Sequence, residues 1–196
     1  MNTRPQEAKA TGKGTQRRQE ETKNTSSRIK VGYGNVNRSD TYTHTTLETL
    51  KDHDVVFISE PKIFTSPNNP PGCVNHPDFN RVTFLRPWTK VVAYVHKKRQ
   101  SYKSSSNDGG TQATISFHLT HITGLYIPND FSAGETTDLL LSLGTSGRRV
   151  ILGDFNAHHP AWGTSKTNPR GKAIQVWSTA RGLTQHNNIH QFSFQR

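Results

Sequence analysis

Sulfur, acid and long apolar runs are all scarce in this sequence, and each scarcity excludes something. A single cysteine, Cys73, rules out an internal disulfide framework and a cysteine-built zinc site. It lies in a Pro/Gly-rich stretch, reads as structurally incidental, and is compatible with a reducing intracellular compartment. No apolar run approaches the ~20 residues needed to cross a bilayer, and the N-terminus lacks a signal peptide's apolar core. The expectation is a soluble, non-secreted chain with no membrane partner. Acidic residues number 14 against 25 lysines and arginines, leaving a formal charge of +11. Such an excess favours polyanionic partners, nucleic acid foremost, although a solubilising surface would have the same composition.

Residues 1–27 have no large aliphatic or aromatic residue after Met1, so they cannot bury enough surface to offset the entropy of ordering. They are read as a disordered, solvated basic tail. Arg17, Arg18 and Lys23 make non-specific nucleic-acid contact the second reading. The remainder, 28–196, suits one domain.

That domain is organised around Arg149 to Gly163, RVILGDFNAHHPAWG. Val150 to Leu152 read as a strand covered on both faces, ended by Gly153. Asp154 and Asn156 flank Phe155, so an extended backbone would aim both polar groups one way and the ring back to the core. A strand-terminating turn uses the same residue types. Upstream, IKVGYGNVN from Ile29 reads as a strand ending in Asn35 and Asn37, and Asp40 to Lys51 as a helix capped near Thr45 or Thr46. VVFIS at Val55 to Ser59 reads as a strand that delivers Glu60 before Pro61.

Lys62 to Asn80 reads as a long loop. Strands are then expected at Arg81 to Leu85, Lys90 to His96, Gln112 to Leu119 and His121 to Tyr126, and a helix end at Asp138 to Leu143. Lys97, Lys98 and Arg99 open a basic segment suited either to phosphate contacts or to a solvated hairpin loop. An amphipathic helix with Ile174, Trp177 and Leu183 inward and Gly182 at its C-cap follows TNPRGKA. A last strand spans Phe192 and Phe194.

Alternating strands and helices with polar groups at several strand ends indicate an α/β layered fold. Asn35, Glu60, Tyr126, Asp154 and Asn156 are the groups in question. Oxygen donors of this kind suit Mg²⁺ or Mn²⁺, which take one or two carboxylates plus water and phosphate oxygens. Phosphodiester hydrolysis is the reaction such an assembly serves.

The pieces YGNVNRS at Tyr33 to Ser39, FISEP at Phe57 to Pro61, GLYIPND at Gly124 to Asp130 and ILGDFNAHHPAWG at Ile151 to Gly163 carry a resemblance. Their order resembles the endonuclease/exonuclease/phosphatase superfamily, and in particular the apurinic-like endonuclease domain of non-LTR (LINE-type) retrotransposons. The GDFNAHHPAWG piece with the following TNPRGKAI is the most specific. The resemblance implies a four-layered α/β sandwich of two mixed sheets flanked by helices. It also implies divalent-metal-dependent nicking of DNA, a nuclear location, and association with a reverse transcriptase, here one encoded elsewhere.

By the same resemblance Glu60 is the metal-binding glutamate and Asn35 the asparagine beside the metal. Tyr126 is the active-site tyrosine, Asp154 the aspartate that activates water, and Asn156 the transition-state asparagine. Ser193 aligns loosely with a later hydroxyl residue. His158 and His159 match a sub-family signature, with a structural role slightly favoured over DNA contact.

Two departures stand out. Tyr33 replaces the usual glutamine and is expected to alter how Glu60 is held. The chain also ends before the family's late aspartates and Ser-Asp-His motif, and neither His186 nor His190 has that context. The expectation is a C-terminally truncated domain with an incomplete second sheet and weakened or lost activity. A non-catalytic nucleic-acid-binding remnant is the alternative reading, and a small-substrate phosphatase is the third.

Overall fold

The computed structural model describes residues 28–186. The expected basic tail, His190 and the strand around Ser193 lie outside the described residues. In chain order the elements are β1 (Val31–Asn35), α1 (Asp40–Thr49), β2 (Val55–Ser59), β3 (Phe64–Ser66), β4 (Asn69–Gly72), β5 (Phe79–Arg81) and β6 (Val91–His96). They continue with β7 (Lys103–Ser106), β8 (Gln112–Phe117), β9 (Thr120–Tyr126), α2 (Ala133–Leu141), β10 (Arg148–Asp154) and α3 (Pro169–Ala180).

Two four-stranded sheets form, ordered β1-β2-β6-β5 and β10-β9-β8-β7. Both are mixed, because β1 runs parallel to β2 and β10 parallel to β9 while the other neighbours are antiparallel. The run VVFIS is buried throughout because its alternate residues serve different cores. Val56 and Ile58 pack with Leu47 of α1, whereas Val55 and Phe57 face Ala113, Ile115 and Ile122 of the second sheet. Beyond that sheet, Leu125 and Ile127 meet Leu139, Leu140, Ile174 and Trp177 from α2 and α3. The layers are therefore helix, sheet, sheet and helices, which is the expected four-layered sandwich. Among the described residues no helix is long and apolar enough to cross a membrane.

Several local expectations need correcting. Among the described residues β10 is an edge strand; Ile151 packs on the outer core and Leu152 on the inner one, but Val150 is 47% exposed, so the expected full burial is only partial. That it pairs with one strand among the described residues could not be read from the apolar run. The cap of α1 is Ser39, whose Oγ accepts from Tyr42 N at 3.1 Å. Positive φ at Asn37 and Arg38 turns the chain early, so Thr45 and Thr46 fall inside the helix. The expected loop from Lys62 contains the β3–β4 ribbon, and the strand expected at Arg81 to Leu85 ends at Arg81. Cys73 is buried, its Sγ 3.2 Å from the Tyr94 hydroxyl.

The end of the first sheet where β2 begins is pinned by Asp54. Its carboxylate accepts from Lys30 N at 2.8 Å and from Arg99 Nε and Nη2 at 2.7 and 2.9 Å. Burial alone would raise its pKa, but Arg99 and the Lys30 amide overcome this and hold it at about 2, against 3.8. A depressed carboxyl stabilises the fold above its unfolded pKa and loses that contribution as the pH falls. The gap is worth roughly 2.5 kcal/mol. Asp54→Asn should therefore cost about 2–4 kcal/mol in urea unfolding at pH 7. The difference from wild type should shrink by about 1 kcal/mol on going to pH 3.

Candidate active site

Parallel pairing of β1 with β2 and of β9 with β10 brings four strand tips to one end of the sandwich. Asn35 is in register with Ser59, next to Glu60, and Tyr126 with Asp154. The Asn35 side chain joins the two sheets. Its Nδ2 donates to Glu60 Oε1 at 3.0 Å and to Asp154 Oδ2 at 3.1 Å, and its Oδ1 accepts from Asn37 N at 3.0 Å. Two carboxylates from different sheets thus converge on one amide.

Glu60 sits at φ 48°, a left-handed conformation that costs a non-glycine residue about 1–3 kcal/mol. Backbone bonds on both sides hold it there, from Glu60 N to Lys90 O at 2.9 Å and from Arg38 N to Glu60 O at 2.7 Å. Tyr126 is 9% exposed. Burial, then the charge of Glu60 and a hydrogen bond to its carboxylate, push the Tyr126 hydroxyl up to about 12. At neutral pH it is a proton-bearing donor. The exposed Arg38 is the cation that acts on it.

Asn156 departs from the extended path expected of it. With φ at 45° the backbone bends there, Asn156 Nδ2 donating to Ile127 O at 3.0 Å and its backbone N to Asp154 Oδ1 at 3.2 Å. Phe155 does pack into the outer core. The loop is clamped by Arg170, whose Nε and Nη2 donate to Asn156 O at 3.0 and 2.7 Å and whose Nη1 reaches the carbonyls of Asn129 and Phe131. Sequence reasoning gave Arg170 no role, although it lies inside the TNPRGKAI piece.

His159 caps the short 3-10 turn Pro160–Trp162, accepting from Ala161 N at 3.1 Å, and stacks near Trp162. His158 is exposed and serves the loop through its backbone, accepting from Asn168 N. His186 is exposed.

Tyr33 does not hold Glu60. Its hydroxyl crosses between the sheets, donating to Leu125 O at 3.1 Å and accepting from Asp154 N at 2.9 Å. Burial raises its pKa, so it stays a neutral donor. Tyr33→Phe should lower stability by about 1–3 kcal/mol in thermal or chemical unfolding, because it strips a buried carbonyl and a buried amide of a partner at once.

Lys97, Lys98 and Arg99 are not brought to this cluster. They follow β6 at the opposite end of the first sheet, beside Val55, a five-residue strand or roughly 15 Å away. Their head groups engage the Pro77 carbonyl, the Asp52 carbonyl and Asp54 respectively.

Residues 120–196 match the family described as endonuclease-reverse transcriptase. No curated protein matches the chain. Among solved structures, the chain is similar to the endonuclease domain of TRAS1, a telomere-specific non-LTR retrotransposon. The TM-score is 0.54 at 16% identity, over 82% of this chain and 74% of that one. The chain has the fold of a retrotransposon endonuclease domain. The resemblance read from its motifs is borne out by the family match over residues 120–196 and by the shared fold.

Among the described residues no group of three or more His, Cys, Asp or Glu converges. Two carboxylates converge on the Asn35 amide, a donor set that suits a hard cation held by one or two carboxylates, with water and phosphate oxygens completing its shell. Glu60 and Asp154 fit that requirement, since two like charges sharing one amide donor favour a cation between them.

Proposed function

We propose that this cluster carries out divalent-metal-dependent cleavage of a phosphodiester bond in DNA, nicking a strand as a retrotransposon-type endonuclease. The observation that carries the reading is the pair of carboxylates, one from each sheet, meeting on the Asn35 amide. Glu60, with Asp154 beside it, would hold Mg²⁺ or Mn²⁺, and the ion would supply Lewis-acid polarisation of the phosphoryl group.

The chain's own groups take the remaining roles. Asp154 accepts a proton from the attacking water. Tyr126 remains protonated at neutral pH and donates to a phosphate oxygen as negative charge develops. Asn156 has a second amide hydrogen beyond the one given to Ile127 and offers it to the same phosphate. Arg38 adds a positive charge at the mouth. DNA as substrate agrees with the +11 formal charge and implies work in the nucleus with a reverse transcriptase as functional associate.

The same charge would serve a non-catalytic nucleic-acid binder, and Glu60→Gln separates the two readings. A labelled duplex is titrated with Mg²⁺ while cleavage and binding are both followed. An enzyme loses metal-dependent cleavage in the variant and keeps salt-sensitive binding. A binder shows association alone in both proteins, and that outcome would sink the catalytic reading.

A further inference from the structure

The turn between β5 and β6 presents two large apolar side chains to solvent, Phe84 at 71% and Trp88 at 55% exposure. Neither belongs to the three cores. Trp88 is nevertheless fixed. Its single donor, Nε1–H, is given to the Asp108 carbonyl at 3.0 Å, and the Asp108 carboxylate is held by Arg86 at 2.6 Å. The turn itself is tied down by hydrogen bonds, with Arg86 N on Thr89 Oγ1 at 2.8 Å, Thr89 N on Arg86 O at 3.0 Å and Lys90 N on Gly110 O at 2.8 Å. Gly110 (φ +68°) lets the two segments touch, since a Cβ there would lie 2.8 Å from Thr89 Cα. An indole more than half exposed, with a satisfied polar edge and a hydrogen-bonded backbone, is prepared for stacking and lies outside the three cores.

Beside it lies an open cleft of about 610 Å³, lined among others by Trp88, Lys90, Asn107, Tyr126, Asn129 and Phe131. Roughly 300–1,000 Å³ is the usual size of small-ligand sites. Asp130 also lines it and can accept from an exocyclic amine. The cleft is continuous with the candidate active site in two ways. Tyr126 belongs to both, and Glu60 N donates to the carbonyl of Lys90, two residues after Trp88.

We propose that this cleft binds an unstacked nucleobase next to the scissile phosphate, with Trp88 as the stacking face and Lys90 beside the adjoining phosphate. The inference rests on the DNA reading above and adds a substrate preference to it. A base inside a duplex cannot reach such a face without leaving the stack, so DNA with an unpaired nucleotide near the cleavage point is favoured.

The test is binding of the full chain, in EDTA, to two hairpin duplexes carrying 2-aminopurine, one with the probe paired and one with it as a single-nucleotide bulge. The bulged probe should be quenched several-fold on saturation and bind about tenfold tighter than the paired one. In Trp88→Ala and in Trp88→Leu, which keeps apolar bulk without a π face, the quench should vanish and the preference fall close to one. Trp88→Phe should retain most of both. Equal affinity and no quench in wild type would overturn the proposal, as would a preference that survives Trp88→Leu. The assay needs no cleavage, so DNA binding without bulge preference sinks this inference alone. Absence of any DNA binding sinks the DNA reading with it.

Discussion

Asp154→Ala is expected to lower the metal-dependent nicking rate by at least about 10³-fold, since a positioned general base contributes ~10²–10⁴ and this carboxylate also faces the proposed ion. Stability should move the other way or not at all. The backbone of Asp154 remains tied through its N–H to the Tyr33 hydroxyl and through its carbonyl to Ile127 N, so the strand tip survives loss of the side chain. Removal of one carboxylate also leaves Asn35 with Glu60 alone and relieves the repulsion between the two acids. A function-bearing cluster should show this opposition of activity and stability. Single-turnover nicking and a melting curve on the same preparation measure both. If rate and melting temperature fell together, Asp154 would be a structural residue.

Gly153→Ala should give the largest loss of stability, at least about 3 kcal/mol and a fall in Tm of roughly 10 °C for a chain of this size. A Cβ at residue 153 would lie 2.0 Å from the carbonyl oxygen of Leu125 and 2.8 Å from its carbonyl carbon. Both are backbone atoms of the strand to which β10 is paired, with Gly153 in register with Leu125. No side-chain rotation relieves such a contact, so β10 would have to separate from β9 and carry Asp154 with it. Gly134→Ala is the control. Its Cβ would meet nothing nearer than Ser132 Oγ at 3.8 Å, and the change should be neutral or slightly stabilising.

The parts of the fold visible in the sequence were those with strong local signals. VVFIS announced a strand ending at Glu60, and in the structure its alternate residues serve two cores. The strand endings at Asn35, Glu60, Tyr126 and Asp154 were legible because glycine, proline or a polar residue follows each apolar run. What could not be read depends on contacts distant in the chain. Val150 to Leu152 look alike whether a strand has one neighbour or two, so the edge position of β10 was missed. Tyr33 reaches Asp154 across 121 residues, a partnership no spacing rule contains. Lys97 to Arg99 have the composition of a phosphate-binding run, yet the antiparallel β2–β6 register carries them to the wrong end of the sheet and Asp54 engages Arg99. The left-handed turn at Glu60 is imposed by tertiary hydrogen bonds against its ordinary backbone preference, whereas Asn156 is a residue type that tolerates one.

The most direct measurement is conversion of supercoiled plasmid to the open circle by the full chain, run in Mg²⁺ and in EDTA, with Asp154→Ala alongside. Nicking by wild type in Mg²⁺ that disappears in EDTA and in the variant is the predicted result. Plasmid left intact by wild type in Mg²⁺, with DNA binding equal in the two proteins, would contradict it.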